Sequence, residues 1–493
     1  MAPTRDRNTT LRPAGRSGLF ALLAARATAL ALVFAGLAAA PLLAQVRGGG
    51  GFIRTDAPVI ALTNARVIDG TGAPTRADQA ILIRDGRIAW VGPAAGFSPP
   101  PGAEVLDLAG RTVTPGFVMV HEHMYYPAGN GVYNQLAHSF PRLYLAGGAT
   151  TIRTGGSIQP YTDLNLKRRI DAGQMPGPKI HVTAPYLEGA NTGFMVMKPL
   201  DGPDDARRMV EYWAGEGATS FKAYMNISRA ELGAAVEVAH ARGLHVTGHL
   251  CSVTYREAAD LGIDNLEHGF LAATDFVTDK QPDRCPGGGN RALLDADPGG
   301  PEVQSLMRHL IDKGVAVTST LTVFETFTPG RPRAPDAALD AMVADAREAY
   351  LRRYSRTAVD EQSIYRELFP RAMALEVAFF RAGGLLVAGT DPTGYGGVVA
   401  GFSNSRAIEL LVEAGLSAEE AIRVGTLNGA LLLGVEDEVG TIAVGQAADL
   451  VVVRGDPAAR IADIANVEIV FKDGVGYDPA RLRESVQGSV GIR

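Results

Sequence analysis

Cysteine is nearly absent: Cys251 and Cys285 are the only two in 493 residues. Two thiols allow one disulfide at most, and the sequence leaves open whether they pair or stay reduced and buried. No stripe of basic residues runs along any segment, and the formal charge is −6. A nucleic-acid surface needs such a stripe, so that class of function has no support. The longest apolar run, Ala27 to Ala44, is short for a membrane span and has Arg26 on its edge. No cysteine follows it, which removes a lipidated N-terminus. Histidine is scarce too, at nine residues, so where each one falls is informative.

What is there begins with Arg5, Arg7, Arg12 and Arg16 ahead of "ATALALVFAGLAAAPLLAQ". A basic start, a short apolar core and a small-residue end describe a secretory signal peptide, residues 1–44, with cleavage near Ala44. The expectation is therefore a secreted or periplasmic protein with no stable membrane insertion after cleavage. Without that segment the chain carries 42 basic and 52 acidic groups. Residues 45–57, with "VRGGGGF", read as a flexible lead-in.

From residue 58 to 114 the texture is short strands and turns, with "RDGR" as a hairpin signal. It returns over residues 434–480, in "GTIAVGQAADLVVVRGD" and "NVEIVFKDGVGY". Neither piece has enough strands alone, so the two are expected to form one small β-sandwich-like domain. Residues 481–493 are left as a C-terminal tail. Between them, over 115–433, eight short apolar strands alternate with amphipathic helices: "GFVMVHEH", "GATTIRT", "GPKIHVTAP", "GATSFKAYM", "GLHVTGHL", "GIDNLEHG", "GVAVTSTLT" and "GGLLVAGTD". That alternation predicts an α/β fold, a (β/α)8 TIM-type barrel with insertions. Chemistry in such a barrel sits at the C-terminal ends of the strands.

The polar residues do fall there. In "TVTPGFVMVHEHMYYP" the first strand ends in His121 and His123, which share a face because strand residues alternate sides. Two converging imidazoles make half of a metal site, or a pair satisfied by hydrogen bonds. Lys222 lies in the apolar middle of strand 4, where a lone ammonium is costly to bury. It either pairs with a strand-end carboxylate or reacts with CO2 to become an anionic carbamate that bridges two metals. Strand 5 ends in His249, strand 6 in His268 and strand 8 in Asp391.

The order "HEH … SFKAY … GHL … LEHG … AGTDP" resembles the amidohydrolase superfamily of metal-dependent hydrolases, over nearly the whole chain after residue 44. "SFKAYM" is similar to the lysine strand of hydantoinases, while the remaining frame looks more like the imidazolonepropionase-related and prolidase-like branch. The resemblance implies two divalent metal ions, Zn2+ or similar. It implies that His121, His123 and Asp391 hold one, that His249 and His268 hold the other, and that a CO2-derived carbamate on Lys222 bridges both. Imidazole and carboxylate oxygen suit such ions, and an ion of this kind lowers the pKa of bound water towards ~7. The implied reaction is hydroxide attack on the amide C–N bond of a dipeptide, an N-acyl amino acid or a small cyclic amide. Asp391 would be general base and then general acid. Close alternatives are a lactone, ester or phosphotriester substrate, a mononuclear site with Lys222 merely structural, or a catalytically dead binding protein. The partner expected is a small molecule; self-association stays open.

Tyr224, two positions beyond Lys222, shares its inward face and can donate to a carbonyl oxygen as charge develops. His138 and His181 are candidate substrate contacts. Tyr125, Tyr126, residues 186–194 and Arg229 belong near the mouth. Glu122 alternates with the two histidines and should point out of the barrel. His245 shares the face of His249 but lies about 13 Å further down. His240 and His309, near helix ends, read as structural. The insertions after strands 6 and 7 are expected to hang over the mouth, the first carrying Cys285 toward Cys251.

Overall fold

A computed structural model describes residues 50–128, 132–190, 192 and 196–492 of the chain. The signal segment expected over 1–44 lies outside the described residues. Among them, no helix is long and apolar enough to cross a membrane.

Eight parallel strands organise the central part: β1 (Phe117–Glu122), β2 (Ala149–Thr154), β3 (Lys179–His181), β4 (Ser220–Ala223), β5 (His245–Gly248), β6 (Asn265–Glu267), β7 (Ala316–Ser319) and β8 (Leu386–Ala388). They form two runs, β3-β2-β1 and β4-β5-β6-β7-β8. The runs are joined edge to edge on both sides. Parallel bridges link Thr183 to Ser220 and Leu187 to Ala223. At the other junction the N–H of Asp391 donates to the carbonyl of His121 at 3.0 Å. Eight strands thus follow one another around a ring, as the alternating helix and strand pattern requires. Both faces of β1 are buried, which is why it reads as a continuous apolar run.

Helices cover the ring, and their starts are written in the sequence. Ser228 with Glu231, and Thr254 with Glu257, form reciprocal capping boxes at the helices Arg229–Ala241 and Tyr255–Asp260. The insertion after β6 is fastened to this side. Asp275 accepts the N–H groups of Tyr255 and Arg256, Asp283 accepts from Arg229, and Cys285 is disulfide-bonded to Cys251.

The flanking segments build one nine-stranded sheet in which the two ends of the chain interleave. Leu450–Arg454 lies between Arg111–Pro115 and Val467–Lys472, antiparallel to both. Ile60, Leu62, Ile81, Ile83, Val113, Leu450, Val452, Ile469 and Phe471 cluster on one face, and no helix contributes to that cluster. The sheet therefore curls over its own apolar face. This is one continuous hydrogen-bonded sheet rather than the two separate sheets of a sandwich. The boundaries differ from expectation at both ends. Ile53–Thr55, placed in the flexible lead-in, is an edge strand paired with Val475–Tyr477. The tail is docked: Val490 is fully buried and its carbonyl accepts from Val343 at 2.9 Å.

Behind β6, Gly269 has φ +59, and a Cβ there would lie 2.2 Å from Glu376 Oε1, so only glycine fits. Glu376 is buried on the helix Tyr365–Arg381, and burial pushes its carboxyl up to about 8, with Ser319 as a weaker opposing hydrogen bond. The native state thus holds a proton that the unfolded chain releases, so this group's contribution to stability falls as pH rises from about 4.5 to about 8. Glu376→Gln should remove that slope. Denaturant titrations across the window should show the variant gaining on wild type as pH rises; parallel curves would refute it.

Candidate metal centre

Inside the ring lies a charged network that the strand alternation dictates. Arg153 on β2 and Glu267 on β6 are fully buried and paired, Nη2 to Oε1, at 2.7 Å. Arg153 also donates to the carbonyl of Val120 and to Asn265 Oδ1, each at 2.8 Å. Thr247 on β5 donates to Glu267 as well. The second carboxylate oxygen of Glu267 meets His121 Nδ1 at 2.7 Å. That contact leaves His121 Nε2 directed elsewhere, 3.8 Å from Asp391 Oδ1. Burial pushes the Glu267 carboxyl up, but Lys222, His121 and Arg153 outweigh it and hold it well below the usual range.

His121, His123 and Asp391 are all buried, and one ligand atom from each lies within 4.8 Å of the others. His123 Nε2 is 3.3 Å from Asp391 Oδ1, while its Nδ1 faces the Gly156 carbonyl at 3.2 Å. Space for His121 is made by glycine: a Cβ on Gly389 would sit 2.4 Å from the His121 Cβ, and one on Gly155 2.6 Å from its Cδ2. Glu122 points the other way, as expected, and accepts from Thr390 and Asn404.

His249 and His268 stand beside this group. Their ring centroids are 4.2 Å apart, and His268 is 4.8 Å from His121. His268 and Asp391 have φ of +70 and +50, a region that non-glycine residues seldom enter. At His268 the turn has a visible effect. Simple alternation after Asn265 and Glu267 would send residue 268 outward, and the left-handed turn brings it in. Burial pushes the imidazoles of His121, His249 and His268 down, His249 to about 3, so each is neutral and offers a lone pair. The fourth strand adds Lys222. Its Nζ is fully buried, has no hydrogen-bond partner among the described residues, and lies 3.7 Å from Glu267 Oε1. Burial lowers this amine to about 8.

These six residues and Tyr224 line one cavity of about 320 Å3. Its upper walls are Tyr125, Tyr133, Tyr186, Phe324 and Phe327. Both phenylalanines come from the insertion after β7; the insertion after β6 contributes no lining residue among those described. His138 and His181 are not among the lining residues. His138 is exposed and takes a hydrogen bond from Arg142, one helical turn on. His181 lines a separate cavity with Lys179 and Asp473. Lying in β3 itself rather than past its end, it falls short of the mouth. Tyr126 is buried and accepts from Gly397, and Arg229 is engaged by Asp283 and Glu257. Of residues 186–194, Asn191, Gly193 and Phe194 lie outside the described residues. Arg153 and Glu267 escaped the sequence reading. Their signal was period two: each is a charge inside an apolar strand.

Residues 112–475 match the Amidohydrolase family, and the chain belongs to it. Over 109 residues it is 36% identical to an imidazolonepropionase of Salinispora arenicola, covering 22% of this chain and 26% of that protein. A dihydroorotase of Anaeromyxobacter dehalogenans is 34% identical over 105 residues, 21% of this chain and 23% of that one. The matched stretches thus span about a quarter of those relatives. Among solved structures, a bottromycin amidohydrolase superposes with a TM-score of 0.66 at 22% identity, over 90% of this chain and 94% of that one. A Xaa-Pro dipeptidase gives 0.64 at 21%, over 85% and 100%. The family and these likenesses give a TIM-barrel fold with a small domain.

The buried pair makes a direct test. Glu267→Gln leaves Arg153 without a counter-charge and should cost about 3–5 kcal/mol of unfolding free energy. Adding Arg153→Met should restore most of it in a double-mutant cycle. Additive losses would show that the two charges do not depend on each other.

Proposed function

We propose that the protein is a metal-dependent hydrolase of amide C–N bonds. The observation that carries this reading is the convergence of His121, His123, Lys222, His249, His268 and Asp391 on one buried cavity. The donor set fits two divalent cations, Zn2+ or similar: His121, His123 and Asp391 for one, His249 and His268 for the other. Lys222 fits a bridging role. Its amine stands 3.7 Å from Glu267, and burial brings it down to about 8, so a neutral, reactive fraction is present near neutral pH. As a free amine it adds CO2 and loses one proton to give a carbamate anion, whose oxygens offset the charge of two cations. When bound, the cations supply Lewis acidity, making water nucleophilic at neutral pH and polarising a carbonyl.

The side chains do the rest. Asp391, held by Thr393 Oγ1 at 2.8 Å, takes a proton from the attacking water and returns it to the leaving nitrogen. An amide nitrogen departs only once protonated. Tyr224 lines the same cavity and is the donor for the carbonyl oxygen as charge builds there. Relatives named imidazolonepropionase and dihydroorotase, and neighbours named dipeptidase and amidohydrolase, support the class of bond. The substrate is a small amide: a dipeptide, an N-acyl amino acid or a cyclic amide. The basic and apolar segment over 1–44 supports export, with the reaction outside the cytoplasm.

Metal analysis of wild type beside Lys222→Ala, with turnover on a panel of amides, tests this. Wild type should carry close to two metals per chain and cleave amides. Lys222→Ala should lose at least one metal and turn over ~100-fold or more slowly, the loss expected where metal ligation and an activated nucleophile fail together. A single metal retained in both proteins would remove the bridging role.

A further inference from the structure

We infer that the substrate is an uncharged amide with aromatic or aliphatic groups, and that amides bearing a free carboxylate are disfavoured. This rests on the hydrolase reading above and narrows it.

The cavity has a polar floor and apolar walls. Among the described lining residues none is arginine, and the single lysine is Lys222, at the floor. The residues outside the described set between 128 and 196 are Gly129, Asn130, Gly131, Asn191, Gly193, Phe194 and Met195, with no lysine or arginine. Cations next to lining residues in sequence lie outside the described lining. Arg331, beyond Phe327, is held by Glu325 and Glu413. Lys198, beside Met197, is exposed and reaches Asp205 at 3.5 Å. The tyrosine hydroxyls do not replace a cation. Tyr125 and Tyr186 have their hydroxyls hydrogen-bonded to each other. A substrate carboxylate seated against these walls gives up its hydration without a counter-charge there. An aryl or alkyl group instead gains contact with Phe324, Phe327 and the four tyrosine rings. Val196, 57% exposed, continues the apolar lining to the open rim. Unblocked dipeptides and N-acyl amino acids carry a carboxylate and fall in the disfavoured group. Uncharged acyl amides and uncharged cyclic amides remain. In the reaction water adds its oxygen to the carbonyl carbon and the C–N bond breaks. The nitrogen gains a proton, leaving an amine and a carboxylic acid.

The test is a matched pair on the metal-loaded enzyme, acetanilide against 4-acetamidobenzoate. We expect kcat/KM about 30-fold higher for acetanilide, the size of an uncompensated charge burial. Val196→Arg, at an exposed rim position, should shift the preference toward 4-acetamidobenzoate, raising its kcat/KM about tenfold relative to acetanilide, through KM. Calorimetric binding of N-ethylaniline and 4-(ethylamino)benzoate, which lack the scissile carbonyl, reads the walls alone. Tighter binding of N-ethylaniline supports the inference even if no amide is turned over, an outcome that would refute the hydrolase reading instead. Equal or better turnover of 4-acetamidobenzoate, or equal binding of the two amines, overturns it.

Discussion

The candidate centre depends on one buried ion pair, Arg153 with Glu267, set inside the strand ring. Two opposite charges removed from water are costly unless their geometry is good and their remaining donors and acceptors are used. Here they are used. Arg153 gives its other hydrogen bonds to Val120 and Asn265, and Glu267 gives its second oxygen to His121. The pair therefore sets which nitrogen of His121 faces the cavity. It also stands 3.7 Å from the amine of Lys222, and it links β2 to the strand that ends in His268. A failure of this pair would therefore be felt at the candidate ligands as well as in the fold.

Around that pair, backbone geometry does work that side-chain chemistry alone could not. The left-handed turn at His268 brings inward a side chain that strand alternation would place otherwise, and Asp391 also sits at a left-handed backbone position. Gly155 and Gly389 leave the volume that the His121 ring and backbone occupy. Strain and close approach gathered at one rim are what a preorganised site requires, and the apolar strands and capped helices around it supply the stability that offsets them. Above the floor the composition changes abruptly to tyrosine and phenylalanine, so the same cavity joins a hard polar base to a soft aromatic throat.

Much of this was legible in the residues. The eight strands showed as apolar runs preceded by glycine, and the polar residues after them gave the cavity floor. Glu122 pointing out of the ring followed from period two. Other features were not legible, for physical reasons. Arg153 and Glu267 are each unremarkable in sequence and become meaningful only as a pair 114 positions apart. His138 and His181 have the right chemistry, but one sits on the surface and the other below the mouth, a difference of position that residue type does not encode. The edge strand Ile53–Thr55 and the docked Val490 depend on partners more than a hundred residues away. Phe324 and Phe327 lay in a segment read as a loop, and their inward direction comes from the short helix Leu321–Thr326.

The central claim is that six side chains from five strands share a pair of cations. A crystal structure of zinc-loaded protein, with anomalous diffraction collected on both sides of the zinc edge, tests it most directly. The account predicts two anomalous peaks, one among His121, His123 and Asp391 and one at His249 and His268, with continuous density extending from Lys222 Nζ between them. A single peak beside an unmodified lysine, or no peak within reach of these residues, would contradict it.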